Sequence, residues 1–344
     1  MNRTQYIFLT ALLLLLTGCG KHSAIPDKDT NVQLGSYIFF DAGLAETKGT
    51  LFSGNTLPGD PGTSFSVFGF RTDNTTPIFT NHPGGVATVF RPEDSSASTP
   101  KPFTYDNLEL WHSGTHSFYA YYTHESIPTS VISRIGSDAS GHYLVYAQPT
   151  QLSRMTDLMM ASTTATSADG EVELAFNHRL SALDLVVKNS QTESEREIKI
   201  KTAYIKLESI PSNGTLYFNG TTVPNNASFT VLEHTYDIAS PITITYDNAN
   251  KENSKHNLNS SNSFLFLPCD SIVATVTLTI INSWNEEVQL GITSQSLAPE
   301  NGFVAGNRYY LIISKTEAGV EFRLDWANAN GDWTNGPDPS FDFS

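Results

Sequence analysis

Basic residues are scarce in this sequence, and they form no cluster. Its 344 residues include 20 Lys and Arg against 35 Asp and Glu, which gives a formal net charge of −15. Nucleic acids and anionic lipid surfaces are recognised by clustered Lys and Arg side chains. The sequence therefore argues against nucleic acid as a partner and against peripheral binding to an anionic membrane surface.

Long hydrophobic runs are also missing. The apolar stretch at residues 6–16 ends in five consecutive leucines. It is too short to cross a bilayer, which requires about 20 apolar residues. With Arg3 before it, this stretch is typical of the hydrophobic region of a secretory signal peptide. We therefore expect residues 1–18 to be a signal peptide and the mature chain to be exported.

Cysteine is nearly absent, since only Cys19 and Cys269 occur. The first follows Leu16-Thr17-Gly18, and the resulting tetrapeptide resembles the lipobox of bacterial lipoproteins. In that class, small residues let the signal peptidase reach the backbone, and the thiol accepts a diacylglyceryl group. The resemblance implies a triacylated Cys19, because one acyl chain gives only marginal membrane binding. The alternative is an ordinary cleaved signal followed by a chance cysteine.

The remaining cysteine has no predicted partner. With Cys19 acylated, Cys269 cannot form an internal disulfide, so the mature fold must be stabilised by its hydrophobic core. Cys269 follows the apolar run 265–268, which favours a buried structural residue over the alternative of a catalytic thiol. Gly20, rather than Asp, follows the predicted acylation site Cys19. In lipoproteins this favours sorting to the outer membrane.

Catalytic and metal-binding motifs are absent from the sequence, which contains no H-E-x-x-H, G-x-S-x-G or phosphate loop. His112 and His116 are four residues apart on a predicted loop, so they do not form the helical pair of a zinc site. His178 opens an otherwise apolar strand, where a structural role is favoured over that of a base or metal ligand. We therefore expect no enzyme, cofactor or metal site.

The periodicity of amphipathic helices is missing too, and short β-type runs recur between Gly, Pro, Asn and Asp residues. Apolar and polar residues alternate in segments 172–176, 183–187, 198–201 and 272–280. This period of two puts one face of a strand in a core and the other in water. Strands and helices do not alternate, so a parallel α/β fold is disfavoured. The sequence predicts an all-β protein of antiparallel β-sandwiches.

The length of the chain predicts two domains. Residues 19–33 are polar, contain Pro26 and have no periodicity, so we expect a flexible tether. Small polar residues at 161–170 interrupt the strand pattern. They predict a junction between an N-terminal domain at 34–165 and a C-terminal domain at 171–344.

Several short motifs follow one another along the mature chain. They are Trp111 followed by Ser117-Phe-Tyr-Ala-Tyr-Tyr122, then Asp157-Leu-Met159, then Phe176-Asn-His178-Arg-Leu180-Ser-Ala-Leu183, then Leu265-Phe-Leu-Pro268, and finally Phe303-Val-Ala-Gly306-Asn-Arg-Tyr309 with the later Trp326. In this order they resemble motifs of the fimbrillin (Mfa-like) family of pilus proteins. Each motif is weak alone, and the shared order makes the resemblance specific. Thr123 departs from the family, which usually has Pro there.

The resemblance implies an outer-membrane lipoprotein with two transthyretin-like β-sandwich domains, acting as a shaft, anchor or tip component of a type V pilus in adhesion. In that family the first strand fills a groove in its own sandwich. After a protease removes this strand, the groove accepts a strand from another subunit. Here the first strand would lie at 34–40. Lys48 is the best basic processing site, because no Arg lies between Cys19 and Arg71; the alternative is an ordinary solvated lysine.

Residues 327–344 predict the position of this protein within a pilus. The residues after Trp326 include Gly331, Gly336, Pro337 and Pro339. Proline removes a backbone donor, and glycine offers no side chain to a pocket, so this segment suits a donor strand poorly. An anchor or accessory subunit is therefore favoured over the polymerising shaft, with other pilus subunits and surface glycans or proteins as partners.

A second function remains open on the sequence alone. Exposed aromatic residues of a surface glycan-binding lipoprotein stack on sugar rings. The candidates for this role are Tyr119, Tyr121, Tyr122, Trp326 and Trp333.

Overall fold

The computed structural model describes residues 37–42, 63–92, 103–123, 131–190, 197–247, 255–258, 263–282, 284–316 and 320–327. The strands are β1 (Phe39–Asp41), β2 (Ser64–Phe70), β3 (Ala87–Phe90), β4 (His116–Thr123), β5 (Ile132–Asp138), β6 (Gly141–Ala147), β7 (Leu158–Ala165), β8 (Glu171–Glu173), β9 (Asn177–His178), β10 (Ser181–Asn189), β11 (Glu197–Pro211), β12 (Asn213–Tyr217), β13 (Thr222–Pro224), β14 (Phe229–Thr245), β15 (Lys255–Asn257), β16 (Phe264–Phe266), β17 (Ile272–Ile281), β18 (Glu287–Leu297), β19 (Arg308–Lys315) and β20 (Val320–Ala327). Short 3-10 turns form at Pro83–Gly85 and Leu152–Arg154. Within these ranges no helix is long and apolar enough to cross a membrane.

One sandwich is built from strands of the C-terminal half. Its sheets have the orders β15-β10-β19-β20, with β16 also paired to β10, and β14-β11-β17-β18. The inward faces of both sheets enclose one apolar core. The predicted alternation of β11 is observed, because Ile198 and Ile200 are buried whereas Lys199 is exposed. The prediction of an all-β fold with sandwiched, mainly antiparallel sheets is confirmed, and the one exception among the described strands of this sandwich is the parallel pairing of β10 with β19.

Strand β10 departs from the predicted alternation, because all nine of its residues are buried. Leu183 faces the sandwich core, but Asp184, expected in water, is also buried, on the opposite face. Its carboxylate accepts hydrogen bonds from Ser263 Oγ, from Asn257 Nδ2 at 2.9 Å and from Arg308 Nε at 3.0 Å. A buried carboxylate requires such partners, and they replace the water that the sequence pattern predicted.

The N-terminal half contains a sheet that is covered on both faces. Its order is β3-β2-β4-β7-β9. Phe65 and Phe118 point from one face into a core closed by β1, β8 and residues 103–111. Phe68 points from the other face into a core shared with the sheet β13-β12-β6-β5. Apolar residues therefore occur on both sides of this sheet, and not only at alternate positions.

The predicted junction at 161–170 is a strand in its first half. β7 continues to Ala165 because it pairs with β4 along its whole length. The turn that follows is closed by Asp169, whose carboxylate accepts the backbone N–H of Thr166 at 2.6 Å. Beyond it, β12 pairs with β6, so residues of both halves share one sheet. The domain bounds 34–165 and 171–344 stay predictions.

Candidate functional site: the slot of the first strand

The first strand is held between two parts of the N-terminal half. On one side, β1 runs parallel to β8, with Phe40 opposite Val172, and Leu174 N donates to Asp41 O at 2.9 Å. On the other side, antiparallel bridges join β1 and its flank to residues 103–110, and Ile38 N donates to Glu109 O at 2.9 Å. Both edges of the strand are thus paired. We call the space between β8 and residues 103–110 the slot.

Alternate side chains of the first strand fill the interior of the slot. Ile38, Phe40 and Ala42 each have 0% of their surface exposed, whereas Tyr37, at an alternate position of the same segment, is 45% exposed. The period of two explains this division, because successive side chains of a strand point to opposite faces. The strand that was predicted at 34–40 therefore contributes buried side chains at every second position of its described part.

Phe40 is the centre of an aromatic cluster. Its ring centroid lies 5.8 Å from that of Phe118 and 6.1 Å from that of Phe65, and both pairs are edge-to-face. Phe79 and Tyr105 lie within 6.3 Å and 5.9 Å. These are favourable aromatic distances, and such pairs add about 0.5–1.5 kcal/mol to the effect of apolar burial. The interior of the slot is shaped for an aromatic side chain at this position.

Arg91 supplies the charge beside the slot. Its guanidinium carbon lies 4.5 Å from the ring centroid of Phe103, a wall residue of the slot, and the side chain is buried. Burial lowers the pKa of Arg91, and the negative charge of Asp41 on β1 acts in the opposite direction. Asp41 of β1 thus partly offsets the cost of burying the charge of Arg91.

The connection of β1 to the rest of the chain is a single segment, 43–62, which joins it to β2. Lys48 lies in this segment, and Cys19 lies before β1; both are outside the described residues. In the sequence, Lys48 falls between β1 and β2. A cut after it would leave β1 attached to the rest of the protein through noncovalent contacts alone.

His178 lies where two of the sequence motifs meet. Its Nδ1 is 2.7 Å from Asp157 Oδ2, and both side chains are fully buried. Strand pairing of Met159 with His178 brings the motifs together. A buried carboxylate–imidazole pair of this kind fixes the relative position of β7 and β9, in agreement with the structural role predicted for His178.

The other residues considered for chemistry are dispersed. His116 is not on a loop as predicted but begins β4, and burial lowers its pKa. Its ring is 6.3 Å from that of His112.

Cys269 is half-buried, and burial raises the pKa of its thiol to about 12, so the reactive thiolate is disfavoured. Among the described residues, no three His, Cys, Asp or Glu side chains are grouped so that they would hold a metal ion.

The aromatic residues considered for sugar stacking are packed inside the protein where they are described. Tyr122 is buried, and Tyr119 is half-buried and stacked on Phe68 at 5.3 Å. Tyr121 is half-buried against the same core. The side chain of Trp326 and all of Trp333 lie outside the described residues. The described tyrosines are thus structural parts of the covered sheet.

Sequence reasoning missed the walls of the slot. Residues 103–110 have no regular alternation, and β8 is only three residues long. Neither signals a partner for β1, because the pairing joins residues that are far apart in the chain. The available signal was Phe40 itself, an aromatic residue at an inward position of the predicted first strand.

Comparisons with known proteins agree with the fold. The sequence profile described as fimbrillin-like matches residues 56–323. No curated protein sequence is matched. A solved fimbrial protein of Bacteroides vulgatus is similar over 80% of this chain and 94% of its own, with 16% identity and a TM-score of 0.52. The fimbrial anchor protein of Porphyromonas gingivalis aligns over 86% of this chain and 97% of its own, with 13% identity and a TM-score of 0.38.

At 16% and 13% identity, the likeness to these solved structures is a likeness of fold alone. The profile match, in contrast, rests on the amino-acid sequence. The profile match begins before β2 and ends within β20, so it includes both walls of the slot and the pair of Asp157 with His178. The chain belongs to the fimbrillin-like family.

Proposed function

We propose that this protein is a lipid-anchored component of a type V pilus on the outer membrane, which joins another subunit by strand exchange at the slot. Within the pilus it serves as an anchor or accessory subunit rather than as the shaft. The observation that supports this is the position of β1, which is paired on both edges and buries Ile38, Phe40 and Ala42. Membership of the fimbrillin-like family agrees with a pilus component at the cell surface.

The energetics of the slot favour exchange over loss of the strand. Removing β1 would expose the surfaces that Ile38 and Phe40 cover, at about 1.5–3 kcal/mol for each side chain. It would also leave the backbone groups of β8 and of residues 103–110 without partners. An unpaired strand edge beside an apolar groove is a template for another strand. A replacement must place a large apolar side chain where Phe40 lies.

The role as an anchor or accessory follows from two features of the chain. A shaft subunit must both accept a strand and donate one. Residues 328–344 contain two glycines and two prolines and suit donation poorly. The predicted lipid on Cys19 precedes β1, so after cleavage at Lys48 only the noncovalent contacts of β1 in the slot would hold the lipid to the body of the protein. Strand exchange at the slot therefore requires the cut form: a cut accessory subunit would exchange β1 for a strand of another subunit, whereas an uncut anchor would keep both β1 and its lipid.

The proposed partners are the outer membrane, through Cys19, and other pilus subunits. Binding of surface glycans through the aromatic residues of the covered sheet is not supported, because Tyr119, Tyr121 and Tyr122 are packed against other side chains.

Uptake of a labelled strand tests the slot. A specific protease site is introduced between residues 43 and 50, and the cut protein is incubated with a fluorescent peptide of residues 34–42. We expect slow uptake by the cut protein and none by the uncut protein, measured by fluorescence anisotropy. A peptide with Phe40→Asp should not enter, because it places a charge in the aromatic cluster.

The matched control is a peptide with Tyr37→Asp. It carries the same change at an exposed position and should enter like the unchanged peptide. Equal uptake of the Phe40→Asp peptide, or equal uptake by uncut protein, would show that the slot is not an exchange site.

A further inference from the structure

A second cavity lies where the two halves of the protein meet, and it shares no lining residue with the slot. Four segments that are distant in the sequence enclose it: β7, the residues around β9, the turn between β12 and β13, and the loop before β19. Its volume is about 520 Å³. Pockets for small ligands commonly have volumes of roughly 300–1,000 Å³. The size therefore suits a ligand of one or two sugar rings.

Arg179 is the cation of this cavity. Only 5% of its surface is exposed. Its Nη2 donates to Thr221 O at 3.0 Å and to Thr222 Oγ1 at 3.2 Å. Its Nε is buried and has no acceptor within the described part of the chain. A guanidinium has further N–H donors besides these, arranged in a fork that matches a carboxylate.

No carboxylate in the described ranges lies within ion-pair distance of Arg179. Burial lowers the pKa of Arg179 to about 10, which leaves it charged at neutral pH. A buried charge without a counter-charge is costly, so proteins seldom retain one for stability alone. Asp157 contacts the lining residue His178, but it is engaged in that pair at 2.7 Å.

The other walls combine polar and apolar groups. None of the lining residues is acidic among those that the structure describes. Asn177 and Asn219 are exposed at the cavity and carry amides, and Ser162 carries a hydroxyl. Phe218 and Met160 supply apolar surface. Amides and hydroxyls suit the hydroxyl groups of a sugar, and apolar side chains suit its C–H face.

We propose that this cavity binds an acidic sugar, a uronic acid residue of a glycan, with Arg179 holding the carboxylate. The proposal does not depend on strand exchange, because the cavity and the slot are separate. It differs also from sugar stacking on exposed aromatics, since recognition here rests on a buried cation.

Calorimetric titration of the purified mature protein with D-galacturonate and with D-galactose tests this site. The two sugars differ in one carboxylate, and hydrogen bonds to charged groups contribute enough for a difference in affinity of roughly ten- to hundredfold. We expect galacturonate to bind more tightly by this factor. Arg179→Gln should remove the preference, whereas Lys201→Gln, a change at an exposed cation away from the cavity, should leave it intact.

A second variant tests the cavity independently, so that the result does not depend on correct folding of Arg179→Gln. Ala305→Trp fills the cavity from its half-buried wall and leaves Arg179 in place, so it should abolish binding of galacturonate without lowering the melting temperature. Equal affinity for the two sugars contradicts the proposal, and so does full binding by Ala305→Trp. A peptide with a free C-terminal carboxylate that binds more tightly than galacturonate would show that the ligand is a protein terminus instead.

Discussion

Cys19→Ala is expected to abolish lipid labelling of this protein and to release it from the outer membrane. The thiol of Cys19 is the predicted acceptor of the diacylglyceryl group, and alanine offers no nucleophile there. The acidic chain, with a net charge of −15, is poorly suited to electrostatic binding of anionic lipid in place of the acyl groups. Metabolic labelling with a fatty-acid analogue and fractionation of membranes measure the result.

The matched control for this change is Cys269→Ala. It removes the second cysteine of the chain, whose thiol is half-buried against the core of the C-terminal sandwich. Lipid labelling and membrane retention should then be normal. Normal retention of the Cys19→Ala protein would rule out the lipid anchor and leave an ordinary cleaved signal as the explanation.

Phe40→Ala is expected to lower the free energy of unfolding of the N-terminal half by about 3–5 kcal/mol, the usual cost of replacing a buried phenylalanine by alanine. The substitution removes a ring that contacts Phe65, Phe79, Tyr105 and Phe118 and leaves a cavity among them. Urea unfolding followed by the fluorescence of Trp111, which lies in the same core, measures the change.

Tyr37→Ala is the control on the same strand. Because Tyr37 is 45% exposed, its loss should change the free energy of unfolding by about 0.5 kcal/mol or less. Similar effects of the two changes would mean that β1 lies against the surface and does not complete the core.

The sequence predicts local features of this fold well. The alternation in β8, β11 and β17 was sufficient to identify their buried faces, since side chains of a strand alternate whatever its partner. The order of short motifs was sufficient for the family, which the profile match over residues 56–323 confirms.

Features that depend on distant partners were not predictable. The alternation of the sequence predicts that Asp184 faces solvent. Its burial is possible because Arg308, Asn257 and Ser263 donate hydrogen bonds to its carboxylate. Likewise the pairing of β1 with β8 and of β12 with β6 joins residues far apart in the sequence. In the sequence, nothing distinguishes Arg179 from the other positions of its motif. The turn after Phe218 and the loop at 304–306, which are distant in the sequence, line a cavity together with it.

Electron microscopy of the protein purified alone, after treatment with a trypsin-like protease, tests the proposed place in the pilus most directly. A shaft subunit supplies both a slot and a donor strand, so cleavage alone lets it polymerise. Residues 328–344 contain two glycines and two prolines and suit donation poorly, so we expect the proposed anchor or accessory subunit to remain as single particles. Long homopolymeric fibres that disappear when residues 327–344 are deleted would contradict this role and identify the protein as a shaft subunit.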